Sequence, residues 1–418
     1  MSPGSGRETA PGREREGAAS FPTLAVLFLV NAVNIYDRQA LGAITEPLRH
    51  EFHLSDTQLG LLPSLFTIVY AIAGLPLGRL ADAWSRRKLL ALGVAVWAAL
   101  TGLGALAVSY AALLGTRLGV GIGEAVCAPA ATSWISGLVP ATRRARAMAG
   151  FMMAVPIGIM LSLAISGPVA QAFGWRAALA VAAVPAAALV PAILWLREPA
   201  AANDRPAKRR WRELRPAPLF WWIAASGALV NAALYTFSFF LPAFLTRYHG
   251  LPVGKAGLWT GIGSGVAGIL GALAAGTWGD RAASRLRLAA WASLAAAPLA
   301  LTGILLPRGE AAGAVALAMA AYGLLQMYYG LVYATLHGAV PEDLRATAMA
   351  AYLLLTYLCG ASFGPLLTGR LSDLFAHGVT EAAKAAGLHQ AMLIIPFLCI
   401  GLAVVLWRGS KAAAEAVR

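Results

Sequence analysis

Charge is what this sequence has least of. Only 12% of its 418 residues are Asp, Glu, Lys or Arg, against roughly one-quarter in soluble domains, which is too little to cover a water-facing surface. Acids are the scarcer sign, 19 against 33 basic residues, so any carboxylate inside an apolar stretch stands out. Cysteine is almost missing: Cys127, Cys359 and Cys399 lie in apolar runs without metal-ligand spacing or an extracellular pairing partner and read as small packing residues. The first twenty residues lack the apolar core of a cleaved signal, so 1–20 is expected to be a disordered tail and the first apolar run its own insertion signal. There is no His-Glu-x-x-His segment, no Gly-x-Ser-x-Gly elbow, no Cys/His cluster and no phosphate-binding loop. Those absences argue against an enzyme, a metal site, a cofactor and ATP-driven transport.

What is present in abundance is apolar length. Hydrophobic residues make up 59% of the chain and the mean hydropathy is +0.68; at about 20 residues per span, the expectation is an all-α membrane protein of about twelve helices. The spans fall into a six-helix bundle over 21–197, a polar linker over 198–216 rich in Arg and Pro, a second six-helix bundle over 217–408 and a short tail over 409–418. The first span is placed at 21–44 and the last at 391–407. The formal charge of +14 could suggest nucleic acid, but the basic residues cluster in alternate loops, as in Arg86-Arg87-Lys88, Arg143-Arg144 with Arg146, Lys208-Arg209-Arg210, and Arg281, Arg285 and Arg287. Such positive-inside patterning puts those loops and both termini in the cytoplasm, with short loops and many alanines favouring a bacterial plasma membrane. Membrane lipids are then the partners of the basic loops, and nucleic acid is not.

The halves carry repeated signatures. Val139-Pro140 leads to Arg144 and Ala147-Met148-Ala149, as Val340-Pro341 leads to Arg345 and Ala348-Met349-Ala350. Gly78 and Asp82 lie 198 positions before Gly276 and Asp280, and Arg144 lies 201 before Arg345. A near-constant offset argues for duplication, the architecture of many secondary carriers. Gly78, Asp82, Arg86, Arg87, Asp280, Arg281, Arg144 and Arg345 are the gating candidates, because tight turns with basic trailers can latch helix ends at an anionic lipid surface. Pure topological anchoring is the alternative reading.

Ionisable residues inside spans are costly and normally face a cavity or a partner. Asn31, Asn34 and Asp37 recur every third residue and share a helix face, with Arg38 beside them. Arg117 and Glu124 are seven apart, projecting within about 20° of one another and about 10 Å apart along the axis. Asp37, Glu124, Arg117 and Arg38 are therefore candidates for proton coupling: desolvation raises a carboxylate's proton affinity and a nearby guanidinium lowers it, so moving one against the other takes up or releases a proton. A static neutralising network is the other reading. In the second half Tyr322, Gln326, Tyr329 and Tyr333 form a stripe on the tenth span, while Asn231 and Tyr235, and Tyr352 and Thr356, are spaced by four. Together with Asn31 and Asn34 they are the substrate-binding candidates; a tyrosine stripe suits an amphipathic ligand, and an aromatic packing seam is the alternative.

The duplicated Gly-to-Asp turn after the second and eighth spans, with two halves and a basic linker, resembles the major facilitator superfamily. Within it, Asn34-Ile35-Tyr36-Asp37-Arg38, the segment Arg117 to Ala125 containing Gly121-Ile122-Gly123-Glu124, and Pro129, Ser133 and Val139-Pro140 are similar to the Spinster family. The similarity covers 34–176 well and is thinner in the second half, at Arg345-Ala346-Thr347-Ala348 and Gly364-Pro365. The resemblance implies twelve helices in two pseudo-symmetric bundles, alternating access, and a proton-coupled carrier of a lysophospholipid or sphingosine-phosphate-like lipid; one chain containing both halves suffices as a monomer. An Asp-Arg pair in the first span also occurs in superfamily carriers of small organic anions, so a carrier of such anions or of drug-like compounds is the alternative, and a non-transporting sensor a third.

Overall fold

The computed structural model describes residues 12–198, 218–341 and 344–415, with side chains from Phe21 onward except at 82, 83, 141, 145, 339 and 346. Among them every regular element is a helix, the form in which a single chain segment satisfies its own backbone groups inside a bilayer. The first half comprises α1 (Gly12–Ala43), α2 (Thr45–Phe52), α3 (Asp56–Ala83), α4 (Arg86–Ala105), α5 (Tyr110–Glu124), α6 (Cys127–Leu138), α7 (Ala141–Met152), α8 (Ala154–Phe173) and α9 (Trp175–Trp195). The second comprises α10 (Pro218–Arg247), α11 (Val253–Gly279), α12 (Arg285–Leu305), α13 (Ala311–Ala339), α14 (Arg345–Thr356), a π turn (Tyr357–Ala361), α15 (Phe363–Phe375), α16 (Glu381–Met392) and α17 (Ile394–Glu415). Eleven helical segments of the described residues are long and apolar enough to cross a membrane; α1, whose apolar run carries Asn31, Asn34, Asp37 and Arg38, is the twelfth long helix.

Five interruptions share one cause. Proline removes the hydrogen bond to the carbonyl four residues back and its ring crowds that carbonyl. The joints α1/α2, α5/α6, α7/α8 and α16/α17, and the end of the π turn, fall at Ala43-Ile44, Ala125-Val126, Met152-Met153, Met392-Leu393 and Ala361-Ser362, in each case about four residues before Pro47, Pro129, Pro156, Pro396 and Pro365. Proline is not sufficient, since Pro63, Pro76 and Pro242 sit inside unbroken helices. The break at Ala125 leaves Glu124 as the last residue of α5.

The halves meet along two seams, α8 on α11 and α3 on α15, with α1 crossing α10 between them. Glycine permits the approach. A methyl group on Gly257 would lie 2.8 Å from the Leu163 carbonyl oxygen, and one on Gly42 the same distance from that of Ser238. These contacts lie toward the end of the bundle opposite the basic loops, called here the far end. At the basic end Gly74, Gly150, Gly276 and Gly338 have nothing within 4 Å of where a Cβ would stand. The halves are thus packed backbone against backbone at the far end.

At the ends of the chain the helices run past the expected bounds. α1 begins at Gly12, inside the stretch expected to be a disordered tail, as its run Arg13-Glu14-Arg15-Glu16 and following alanines are good helix formers; residues 1–11 lie outside the described residues. The last span starts at Glu381 rather than 391, because Thr380 caps the N–H of Ala383 and starts α16. At the other end α17 continues to Glu415 through the expected tail, with Gly409 buried beside Trp222 and Ala412-Ala413-Ala414 favouring helix. The linker residues 199–217 and the tail residues 416–418 lie outside the described residues. Of the cysteines, Cys127 and Cys399 are buried, whereas Cys359 is exposed, turned outward on the π turn.

Candidate transport site

The four charges of the first and fourth spans form two crossed pairs. Asp37 Oδ1 accepts from Arg117 Nη1 at 3.3 Å, and Arg38 Nε donates to Glu124 Oε2 at 2.7 Å. Asp37, Arg117 and Glu124 are 1%, 2% and 0% exposed, so each must find its counter-charge inside the bundle. Neighbours on α1 project about 100° apart, which lets Asp37 and Arg38 reach partners a full seven residues apart on α5.

The pairs differ in completeness. Asp37 is fully engaged, because Thr101 on α4 donates its hydroxyl to Oδ2 at 2.7 Å and itself accepts from Arg117 Nη2 at 3.1 Å. Gly104, one turn on, leaves room for that guanidinium: a Cβ there would stand 3.4 Å from Nη2. Glu124 keeps one oxygen, Oε1, buried and without a hydrogen-bond partner. Arg38 is held from the other side by aromatic faces, its Cζ 3.9 Å from the Tyr70 ring centroid and 5.5 Å from that of Phe66. A guanidinium stacked on a ring gains cation–π attraction while leaving N–H groups at its edge.

From Tyr70 a chain of rings crosses to the second half. Tyr70 and Tyr357 lie edge to face at 5.8 Å, and Tyr357 and Tyr235 at 6.4 Å. Tyr235 was expected at the site; Tyr70, Phe66, Tyr357 and Thr101 were not. Their signal in the sequence is weak, since Thr101 is one hydroxyl in an apolar run and Tyr357 gains its direction from the π turn.

The remaining substrate candidates divide. Asn231 and Tyr329 meet, the phenol donating to Asn231 Oδ1 at 3.2 Å while Asn231 Nδ2 donates to the Gly227 carbonyl. Gln326 donates to the Tyr322 hydroxyl, and Tyr333 packs edge-on against Tyr352. Tyr322 and Tyr352 are fully buried, Tyr352 donating to Tyr328, so these two are packed in the protein interior at opposite ends of the stripe; Gln326, Tyr329 and Tyr333 keep partial exposure. Thr356 turns its hydroxyl back to the Leu353 carbonyl. In α1, Asn31 donates to the Phe151 carbonyl at the α7/α8 joint, whereas Asn34 is buried with its Nδ2 unpartnered.

The gating candidates bond at helix ends. Arg144 and Arg345 fold back in parallel fashion onto the carbonyls of Val139 and His337 at the preceding helix end. Asp280 pairs with Arg285, Arg281 is exposed, and Gly78 is buried within α3. The N–H groups of Arg86 and Arg87 are capped by Glu198, a carboxylate at a helix N-terminus. The Asp82 side chain lies outside the described residues. Polar contacts between the halves gather instead at the far end, among Glu46, Arg49, Asp56, Arg247, Asp373 and Glu381, none of which was singled out in the sequence because all lie at span ends where charge is ordinary.

Comparison with known proteins agrees with this fold. Residues 27–365 match the Major Facilitator Superfamily. The chain is 33% identical to an MFS-type efflux pump of Mycolicibacterium smegmatis, over 90% of this chain and 89% of that one. It is 28% identical to the human protein spinster homolog 1, over 84% of this chain and 72% of that one. A crystal structure of a bacterial homolog of the human lysosomal transporter Spinster, in an inward-facing and occupied conformation, superposes with a TM-score of 0.84 at 25% identity, covering 97% and 98% of the two chains. This chain is accordingly a multi-pass secondary transporter, not an enzyme, and belongs to the Major Facilitator Superfamily, with Spinster proteins among its relatives.

Proposed function

We propose that the protein moves an amphipathic lipid with an anionic head group, a lysophospholipid or sphingosine-phosphate-like molecule, in exchange for or together with protons. The observation that carries this reading is Arg38, a guanidinium whose charge is shared between one carboxylate and a wall of aromatic rings reaching into the second half. An arriving phosphate offers Arg38 a bidentate partner better than Glu124. Glu124, losing its counter-charge while fully buried, then takes a proton, and Oε1 is the atom with room in its hydrogen bonding to carry one. Tyr70, Tyr235 and Tyr357 supply hydroxyls for the head group and faces for the start of the chain. Rocking of the halves moves Tyr235 and Tyr357 relative to Arg38, linking access to the exchange. The basic end faces a bacterial cytoplasm on this reading, and the protein works as a monomer, each chain holding both halves.

The test is uptake of labelled lysophospholipid into proteoliposomes under an imposed pH gradient. Native protein should respond to the gradient, and Glu124→Gln should bind lysolipid yet lose the response. Transport of lysolipid by Glu124→Gln with its gradient dependence intact rejects the coupling role. A second reading, export of drug-like compounds, is favoured by the similarity to the mycobacterial efflux pump; movement of such compounds without competition by lysolipid would establish it.

A further inference from the structure

On the outer side of the second half, the basic ends of α12 and α17 carry a cluster of aromatic and cationic side chains remote from the buried charges. Arg287, Trp291 and Leu294 are spaced by four and three on α12, and Val404, Trp407 and Lys411 by three and four on α17, so each trio shares a helix face. All six are exposed, and the two helices pack side by side. In a chain that crosses a membrane, their faces make one strip against lipid. The strip joins at its basic end, where the Trp291 and Trp407 rings meet edge to face at 5.6 Å and Arg287 Cζ stands 5.8 Å from the Trp407 centroid. Behind it Gly409 seats α17 closely, since a Cβ there would stand 3.2 Å from the Trp222 Cβ and 3.8 Å from Leu286. The cluster offers donors only: among the described residues, neither cation has an acidic partner and neither indole N–H an acceptor. Asp280 is taken by Arg285 at 3.5 Å, and Glu415 lies a turn beyond Lys411, about 6 Å farther along the axis from the bilayer.

We propose that this strip holds one anionic two-chain phospholipid of the basic-end leaflet, its phosphate between Arg287 and Lys411 and its chains along Leu294 and Val404. A lone tryptophan or a lone cation is ordinary at a membrane surface. Here the two are joined: a guanidinium stacked on an indole keeps its edge N–H groups for a phosphate, and Lys411 lies one turn past that indole on the same face. Apolar side chains continue each face into the bilayer, where acyl chains lie. The charge selects the head group, because a zwitterionic lipid brings its own ammonium into the field of both cations and loses much of what its phosphate gains. Bound there, the lipid bridges the start of α12 and the last turns of α17, which run past the span.

The experiment reads lipid retention, not transport, so it stands apart from the lysolipid and proton readings. Protein is released from vesicles of equal phosphatidylglycerol and phosphatidylethanolamine with matched chains, and its adducts are counted by native mass spectrometry. The native chain should keep one phosphatidylglycerol. Arg287→Gln with Lys411→Gln should lower that retention by about 25-fold, about fivefold for each cation at a lipid surface, and leave phosphatidylethanolamine adducts unchanged. Trp407→Leu, with both cations kept, should lower it by a few fold. The control is Arg143→Gln with Arg146→Gln, which removes the same charge from two exposed residues of α7 at the same end and should retain lipid as the native chain does. An equal loss in that control overturns the proposal, because the basic surface then acts through its total charge alone. Undiminished retention in Arg287→Gln with Lys411→Gln, or phosphatidylethanolamine held as well as phosphatidylglycerol, overturns it too. A doubled mass that disappears in Trp407→Leu would place a second copy of the chain on this strip and overturn it equally.

Discussion

The two buried pairs of the first half should respond very differently to loss of charge. Arg117→Gln leaves Asp37, 1% exposed, with the Thr101 hydroxyl as its remaining strong partner. Removing one member of a buried pair costs about 3–5 kcal/mol, or about 6–20 °C of melting temperature for a bundle of roughly 150–250 residues. Asp37→Asn with Arg117→Gln removes both charges and keeps groups of similar volume, so most of that loss should return. Glu124→Gln is milder. The amide oxygen still accepts from Arg38 Nε, and the guanidinium keeps the Tyr70 face, an attraction of about 0.5–2 kcal/mol. What is lost is the charged character of one hydrogen bond, about 1–1.5 kcal/mol. The assay is thermal unfolding of purified protein followed by intrinsic fluorescence, with the double-mutant cycle completed for Asp37 and Arg117. Equal losses for Arg117→Gln and Glu124→Gln, or additivity in the Asp37/Arg117 cycle, would refute the assignment of the first pair to architecture and the second to exchange.

Three further outcomes follow from the same geometry. Tyr70→Leu or Tyr357→Leu should weaken lysolipid binding by about 2–30-fold through loss of ring contacts worth about 0.5–2 kcal/mol, whereas Tyr352→Phe, at a packed position, should leave affinity unchanged in the same binding assay. Gly261→Val should destabilise the closed far end, because even a methyl there would come within 2.5 Å of the Ala164 backbone nitrogen; overpacking of this kind costs about 1–3 kcal/mol and should appear as a longer far-end separation between spin labels. The Arg176 guanidinium and the Trp175 N–H hold the Glu51 carboxyl below its usual range. With a depressed folded value, its contribution to docking α2 on α9 is present above the unfolded carboxylate value and fades as pH falls through the folded one, so the melting temperature of the native protein should fall more than that of Glu51→Gln on acidification below about pH 4.

Much of the architecture is legible in the sequence because a bilayer leaves few choices. Apolar length, the linker and the duplicated Val-Pro…Arg signature point to two six-helix halves, and Asp37, Arg38, Arg117 and Glu124 stand out because charge inside a span is rare. Their pairing is not legible: the crossed arrangement depends on where α4 inserts Thr101 and on the break that Pro129 imposes after Glu124. Tyr70 and Tyr357 were missed for a related reason. They come from separate halves, and nothing in local spacing says that two tyrosines 287 positions apart face each other across a seam.

Both charge pairs of the proposed site lie within the first half. Pairs within a half cannot sense rocking directly, because their partners travel together, so any coupling of Glu124 to access must arrive through something that crosses the divide. The ring chain from Tyr70 to Tyr357 and Tyr235 is such a connection, and it ends on Arg38. On the proposed mechanism, ligand and rocking act on the same guanidinium, one by offering it an anion and the other by shifting the rings beside it. This makes Arg38→Lys an informative substitution. The ammonium keeps the charge and can still pair with Glu124, but it loses the flat stacking surface and the forked donors. If the rings transmit rocking to Glu124, Arg38→Lys should retain a folded carrier and a large part of its lysolipid affinity while proton movement falls out of step with lysolipid movement in proteoliposomes. Unchanged stoichiometry in Arg38→Lys would mean that the charge alone suffices and the ring chain is only packing.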